Sequence, residues 1–191
     1  SLTPLFNIQT NNLGEYPEEF LVLASRLNRN WINLHKTQDI LESIPVTIPA
    51  LEYYVSSQFG RRTDPIKKTP ALHPGIDLSG WPGEIIMSAA GGKVIKAGTW
   101  GHYGNMVEID HGNGFRSRYG HMRKLLVRKG QIIGRGQKIG EMGCSGRCTG
   151  THLHFEVWFG EQLQDPLPYI KVSHDVLKIE RLPNEPFSYI E

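Results

Sequence analysis

From about residue 51 onward, the chain consists of short stretches that alternate apolar and polar residues and are separated by glycine and asparagine turns. Short strands at this spacing predict a mainly β domain, an antiparallel sheet or sandwich with little helix. The 21 glycines and 12 prolines suit such a turn-rich domain. The candidate strands are Leu51 to Phe59, Ile85 to Ala89, Gly92 to Ala97, Asn105 to Asp110, Phe115 to Tyr119, Lys138 to Met142 and His152 to Phe159.

The first part of the chain has a helical periodicity instead. Apolar residues recur at an a/d-like spacing, Pro17 is placed for a first turn, and Glu18 and Glu19 favour the start of a helix dipole. This pattern predicts one long helix over about residues 17–43. The apolar stripe needs a partner, which is the β domain of the same chain, a second copy or a missing helix of the full-length protein, so self-association or a regulatory partner is one expectation. Its members are Phe20, Ala24, Leu27, Trp31, Leu34 and Leu41.

The change of pattern near Pro45 predicts a leader and helix over residues 1–45, a β domain over residues 46–171 and a tail over residues 172–191. The sequence has no apolar run of 18 residues and no basic-then-apolar leader. Because the chain opens on Ser1, we interpret it as a processed or truncated piece, and any membrane anchor would lie upstream. The net charge of +2 says little about partners, and we predict no nucleic-acid partner.

The last candidate strand carries two histidines on one face. Side chains alternate along an extended strand, so His152, His154 and Glu156 share one face, and the apolar residues between them share the other. A catalytic zinc site takes three protein ligands from histidine and carboxylate and keeps a fourth position for water. His73 and Asp77, from the upstream sequence HPGID, would complete that ligand set with His154.

These residues belong to an ordered set of motifs that resembles the lysostaphin-type, or LytM-like, zinc metallopeptidases, which cleave peptide bonds in bacterial peptidoglycan. The resemblance runs from about Val55 to Tyr169, and it implies a duplicated hybrid motif-like peptidase domain. The motifs are Phe59-Gly60-Arg61-Arg62, His73-Pro74-Gly75-Ile76-Asp77, Tyr103-Gly104-Asn105-Met106-Val107, Tyr119-Gly120-His121, the pair Gly130-Gln131 and Gly136-Gln137, and Gly150-Thr151-His152-Leu153-His154-Phe155-Glu156.

The resemblance also implies a role for each polar residue of the site. His73, Asp77 and His154 would hold one zinc ion, and His121 and His152 would form the catalytic pair. Zinc lowers the pKa of bound water to about 7, yet a base must still take the proton. The sequence has no HExxH motif, and histidine, with an ordinary pKa of about 6.5, is suited to replace the glutamate base. One histidine would activate water and the other would stabilise the oxyanion, and the sequence leaves the assignment open.

Two further residues are candidates for substrate contact. His102 lies in an aromatic loop, and Asn105 matches a position that the family keeps, although it could instead complete a turn. The remaining histidines, His35, His111 and His174, are interpreted as solvated surface residues.

The chain departs from the family just before the histidine strand, where Cys144 and Cys148 stand in place of the usual serine or threonine. Two such cysteines can close a disulfide in an oxidising envelope compartment if their α-carbons lie within about 7 Å. A metal role is the alternative, but the CxxxC spacing matches zinc knuckles poorly. We therefore predict a disulfide that rigidifies the loop leading to His152 and His154.

The leading functional prediction is a zinc endopeptidase of the cell envelope, periplasmic or extracellular, that acts on peptidoglycan peptides. One alternative is a catalytically silent LytM-like module that binds cell wall or activates an amidase, although silent members usually lack a ligand that is present here. Another is a structural or carrier-type β domain with incidental histidines. The asparagine-rich start, residues 7–12, or the helix after it would inhibit the enzyme if it folded over the groove. The sequence does not identify the bond that is cleaved.

Overall fold

The computed structural model describes residues 16–63 and 68–172, so the asparagine-rich start, His174 and the tail after residue 172 lie outside the described residues. One helix, α1 (Glu18–Ser43), precedes the β-rich region, which confirms the predicted long helix. The carbonyl oxygen of Pro17 accepts its first main-chain bonds, and two glutamates occupy its first turn. The chain divides between Glu42 and Ser43 into two compact units. Among the described residues, no helix combines the length and apolarity needed to cross a membrane.

The β-rich unit consists of antiparallel strands, and this confirms the predicted fold class. The largest sheet has the order β1-β4-β12-β8-β7-β6-β10, with β13 beside β12, while β5-β11-β9 form a small sheet and β2-β3 a hairpin. The strands are β1 (Tyr54–Ser57), β2 (Gly60–Thr63), β3 (Pro70–His73), β4 (Ile76–Ser79), β5 (Ile85–Met87), β6 (Gly92–Trp100), β7 (Gly104–Gly112), β8 (Phe115–Met122), β9 (Lys124–Leu125), β10 (Ile132–Ile133), β11 (Lys138–Glu141), β12 (His152–Phe159) and β13 (Gln162–Gln164).

The segment with the sequence HPGID joins two strands through a short turn. His73 ends β3 and Asp77 lies within β4, so only Pro74 and Gly75 separate the two strands. A Cβ atom on Gly75 would collide with the carbonyl oxygen of Phe155, so glycine is required for this turn to lie against β12. The strand predicted from residue 51 to 59 is shorter in the structure, where β1 covers only Tyr54–Ser57 and β2 begins after the predicted range, at Gly60.

Strand β12 is buried on both faces. Its apolar residues Leu153, Phe155 and Val157 are completely buried in the core, as the alternation predicts. On the opposite face, His154 and Glu156 are also buried, at 5% and 0% exposure. Polar side chains in such a position need partners for their hydrogen-bonding groups, and these partners define the site described below.

His111 is buried rather than solvated, which corrects the prediction of a surface residue. Strand β7 continues through Gly112 and carries this histidine into the sheet. Its Nδ1 atom lies 2.7 Å from the carbonyl oxygen of Gly91, and its Nε2 atom lies 2.7 Å from Ser117 Oγ. Burial lowers the pKa of His111, although the bond to Gly91 opposes the shift. The folded protein therefore favours a neutral imidazole at this position.

We expect the substitution His111→Gln to remove a pH-dependent part of the stability. The unfolded chain gives this histidine its ordinary pKa of 6.5, and folding lowers it. Below pH 6.5 the unfolded state therefore binds more protons, so this contribution is complete above pH 6.5 and declines as the pH falls. The difference in free energy of unfolding between wild type and variant should narrow from pH 7.5 to pH 5 in urea titrations with EDTA. A difference that stays constant across this range would contradict the expectation.

Candidate metal centre and active site

Three potential metal ligands converge where β3, β4 and β12 meet. The register of β4 against β12 sets Asp77 opposite His154, and the short turn after β3 brings in His73. His73 Nε2 lies 3.1 Å from Asp77 Oδ1 and 3.2 Å from His154 Nδ1, and His154 Nδ1 lies 2.9 Å from Asp77 Oδ1. All three residues are buried or nearly so. The three predicted ligands are therefore together in the structure.

The hydrogen bonds behind these atoms fix the tautomer of each ring. His73 Nδ1 lies 2.8 Å from the carbonyl oxygen of Gln58, and His154 Nε2 lies 3.0 Å from Glu156 Oε1. Because both oxygens only accept, each of these nitrogens carries a hydrogen, and the other nitrogen of each ring presents its lone pair. Two imidazole lone pairs and a carboxylate oxygen thus face one another across about 3 Å, an arrangement that a cation between them stabilises.

The donor set fits a metal ion of the zinc type. Bonds of about 2.0–2.1 Å to a tetrahedral centre place neighbouring ligand atoms roughly 3.3 Å apart, close to the separations found here. His73, Asp77 and His154 are therefore able to hold a metal ion. Burial raises the pKa of Asp77, but its close contacts with His154 and His73 lower it by more, so the pKa lies well below its usual range. Arg62 adds a longer contact of 3.4 Å to the second carboxylate oxygen.

Glu156 anchors the site from behind and was not assigned a role from the sequence. Its completely buried carboxylate accepts hydrogen bonds from His154, from Tyr103 Oη at 2.7 Å, from Arg118 Nη1 at 3.0 Å and from Trp158 Nε1 at 2.8 Å. Burial opposes its charge, yet the bond with His154 and the charge of Arg118 lower the pKa of Glu156. The carboxylate therefore fixes the His154 ring and increases the basicity of its free nitrogen.

We expect Glu156→Gln to weaken metal binding without removing a ligand. The amide keeps the shape of the side chain but loses the charge that orients His154, and loss of such a partner typically lowers metal affinity by about 10- to 100-fold. Competition with a fluorescent zinc chelator would measure the change. The matched control is Glu161→Gln, since Glu161 is an exposed residue whose carboxylate contacts Arg116 and no residue of the site. Equal affinities of the Glu156 variant and wild type would contradict the expectation.

The predicted catalytic pair lies beside the metal ligands. The imidazole rings of His121 and His152 are 4.7 Å apart between centroids, and His152 Nε2 lies 3.7 Å from Asp77 Oδ1. Nδ1 of His121 lies 2.8 Å from the carbonyl oxygen of Ser145, and Nδ1 of His152 lies 2.7 Å from that of Gly150. Each Nδ1 therefore donates its hydrogen, so in the neutral ring Nε2 is free to accept a proton.

His121 has an unusual backbone conformation and a lowered pKa. Its φ angle of 62° lies in the left-handed region, which is uncommon for a residue other than glycine and is concentrated at functional sites. Burial lowers the pKa of its imidazole to about 4, although the bond to Ser145 opposes the shift. His121 is therefore neutral at pH 7 and able to accept a proton.

These residues line an open cleft of about 550 Å³. The exposed His102 lines it, with Tyr103 and Arg147. Asn105 is not among the lining residues, and its amide donates to the carbonyl oxygen of Met122 at 3.1 Å. Substrate contact by His102 and Asn105 stays a prediction. His35, which was also predicted to be a surface residue, lies on α1. Its half-buried ring packs edge-on against Trp31.

Cys144 and Cys148 form a disulfide at the rim of the same cleft, with their α-carbons 5.3 Å apart. Cys148 lines the cleft, and the loop between the cysteines contains Ser145, the partner of His121. The loop between the two cysteines therefore contacts the predicted catalytic pair as well as leading into β12.

Comparison with known proteins agrees with this geometry. Residues 71–166 match the model of Peptidase family M23, a range that includes the three ligands and both histidines of the pair. The chain belongs to peptidase family M23. The peptidoglycan DD-endopeptidase ShyA of Vibrio cholerae is 41% identical over 107 residues, which cover 56% of this chain and 25% of ShyA. The chain spans about a quarter of the length of the first curated relatives that it matches.

Solved structures show the same fold. A zinc-containing peptidase from Vibrio cholerae aligns with a TM-score of 0.59 and 36% identity, covering 64% of this chain and 38% of that one. The catalytic domain of lysostaphin from Staphylococcus simulans aligns with a TM-score of 0.58 and 29% identity, covering 62% of this chain and 92% of that domain. The resemblance to lysostaphin-type peptidases is thereby confirmed.

Proposed function

We propose that this chain is a zinc-dependent endopeptidase that hydrolyses peptide bonds of peptidoglycan stem peptides or cross-links. The observation that carries the proposal is the convergence of three ligand atoms beside two histidines that line the same open cleft. The likeness to a peptidoglycan endopeptidase supports the substrate, and the likeness to a zinc-containing peptidase supports the metal.

The residues of the site would have two roles in the reaction, metal binding and proton transfer. His73, Asp77 and His154 would hold zinc, which when bound polarises a carbonyl group and lowers the pKa of water to about 7. A neutral histidine of the pair, with its Nδ1 hydrogen held by a main-chain carbonyl, accepts a proton at Nε2. Once protonated there, the ring donates a hydrogen bond, which serves the developing oxyanion or the leaving amine. His121 and His152 are proposed to share these two roles.

The cell envelope is the proposed location, because peptidoglycan lies there and an oxidising compartment is compatible with the disulfide. A catalytically silent wall-binding module is the competing function. The complete ligand set and the free Nε2 atoms of the pair favour hydrolysis, since a binding module needs neither.

The test is digestion of purified peptidoglycan by the whole chain, with the products read by mass spectrometry and the zinc content determined by elemental analysis. We expect one zinc per chain and new amino and carboxyl ends that disappear with chelator and return when zinc is restored. The new ends would also identify the bond that is cleaved. Bound zinc without new ends would reject hydrolysis in favour of a silent module, and absence of zinc would reject both the cofactor and the mechanism.

A further inference from the structure

The loop that the disulfide closes, residues 144–148, holds one histidine of the catalytic pair in two ways. The carbonyl oxygen of Ser145 accepts the Nδ1 hydrogen of His121 at 2.8 Å. The amide of Ser145 donates in return to the carbonyl oxygen of His121 at 3.3 Å. A single residue of the loop therefore restrains both the ring of His121 and its backbone.

The second histidine, His152, contacts the residue before this loop and the last residue of the loop. The amide of His152 donates to the carbonyl oxygen of Gly143, the residue before the first cysteine, at 3.1 Å. At the other end, Cys148 Sγ lies 3.7 Å from His152 Nδ1, the atom that donates to Gly150. Both histidines of the pair thus contact the loop or the residue before it, whereas His73 and His154 are held by Gln58 and Glu156.

The rest of the loop packs tightly against the turn before β7. A Cβ atom on Gly146, which has a φ angle of 74°, would collide with the backbone of Gly104. The amide of Arg147 donates to the carbonyl oxygen of His102 at 2.9 Å. These main-chain contacts hold the backbone that follows Ser145 against the residues at and before the start of β7.

The disulfide matters more to this local geometry than to the stability of the whole fold. Its two cysteines are only four residues apart, and closing a short loop removes less chain entropy than closing a long one. Its restraint acts instead on the residues within and beside the ring. One of them, His121, has a left-handed backbone that persists only when its surroundings hold it.

We propose that the Cys144–Cys148 disulfide positions His121 and His152 for proton transfer, so that hydrolysis requires the oxidised cysteine pair. The inference rests on the proposed hydrolytic function. A dithiol reagent would open the bridge when its thiolate attacks one sulfur and forms a mixed disulfide. Its second thiol then resolves that intermediate. Two electrons and two protons pass to the protein, which gains two thiols, and the reagent leaves as a cyclic disulfide.

The kinetic test compares wild type with the double variant C144S/C148S. We expect zinc content and KM to stay close to those of wild type while kcat falls on the order of 10- to 100-fold, the cost of a misplaced catalytic group. Dithiol treatment of wild type should give the same loss, and reoxidation should restore activity. The double variant should be insensitive to the dithiol, which controls for removal of zinc by the reagent. An unchanged kcat, or a loss of zinc that accounts for the whole effect, would overturn the proposal.

A spectroscopic test separates this proposal from the proposed function. The ¹⁵N signals of the imidazoles should report a fixed Nδ1–H tautomer for His121 and His152 in the oxidised protein and an averaged one after reduction or in the double variant. His111, which is bonded elsewhere, is the internal control. If the oxidised protein cleaves no peptidoglycan, the proposed function fails, and the tautomer signals still decide the positioning. Signals of the pair that do not change on reduction would reject it.

Discussion

Replacing His154 by alanine should abolish metal binding and, with it, hydrolysis of peptidoglycan. His154 contributes Nδ1 to the ligand set from β12, an interior strand of the main sheet, and its imidazole contacts both Asp77 and His73. Loss of a partner behind a ligand typically lowers metal affinity by about 10- to 100-fold, and loss of the ligand itself should exceed that range. Elemental analysis after dialysis and mass spectrometry of the digest would measure the two effects on one preparation.

The matched control for this substitution is His35→Ala, which removes an imidazole from α1, outside the cleft. It should keep one zinc per chain. Because His154 is buried, circular dichroism and urea unfolding are needed to show that the variant folds, and Asp77→Asn provides a second, smaller change of a ligand. A folded His154→Ala protein that retains full zinc content would refute the proposed ligand set.

The second large effect is expected at the catalytic pair, where metal content and activity should separate. His121→Ala and His152→Ala should each lower kcat by roughly 10²- to 10⁴-fold, the usual contribution of a positioned acid or base. Zinc content should remain at one per chain, since neither residue is among the three convergent ligands. Elemental analysis beside steady-state kinetics on a soluble peptidoglycan peptide would measure both quantities.

The double variant of the catalytic pair tests whether the two histidines act together. Residues that handle one proton as a unit have effects that do not add, so His121→Ala/His152→Ala should be little worse than the more damaging single variant. Multiplication of the two single effects would show that the histidines act independently, contrary to the proposed sharing of roles. His102→Ala, which changes a histidine at the exposed side of the cleft, is the comparison for zinc content.

The two-residue alternation of side chains along a strand correctly predicted which residues of β12 are buried and which belong to the site. The two-residue period of β12 gave the apolar face that enters the core and the polar face that carries His152 and His154. The position of His111 could not be read in the same way, because Asp110 and Gly112 give the signature of an exposed turn while β7 runs through them. His111 is buried because β7 pairs with β8 on either side of it, and a turn motif in the sequence does not predict that pairing.

Glu156 illustrates a second limit. Strand alternation places it on the same face as His154, yet its role depends on Tyr103, from the turn before β7, and on Arg118, from β8. A HxHxE spacing could have suggested a carboxylate behind a ligand. Only the assembled sheet supplies the donors that keep this buried carboxylate charged, and no spacing along the chain reports them.

The ligands' distance along the chain has a consequence for how the protein responds to zinc. His154 follows Asp77 by 77 residues and His73 by 81, so the unfolded chain holds at most part of the site. A ligand that binds only the native state stabilises it by RT ln(1 + [L]/Kd), about 2.7 kcal/mol at a hundredfold excess over Kd. The metal ligands come from β4 and β12 of the main sheet and from β3 of the β2-β3 hairpin. The free energy of metal binding would therefore couple two separate sheets. If zinc binds as proposed, its supply would set the resistance of the domain to unfolding, and to any protease that attacks the unfolded form, as well as the proposed catalysis.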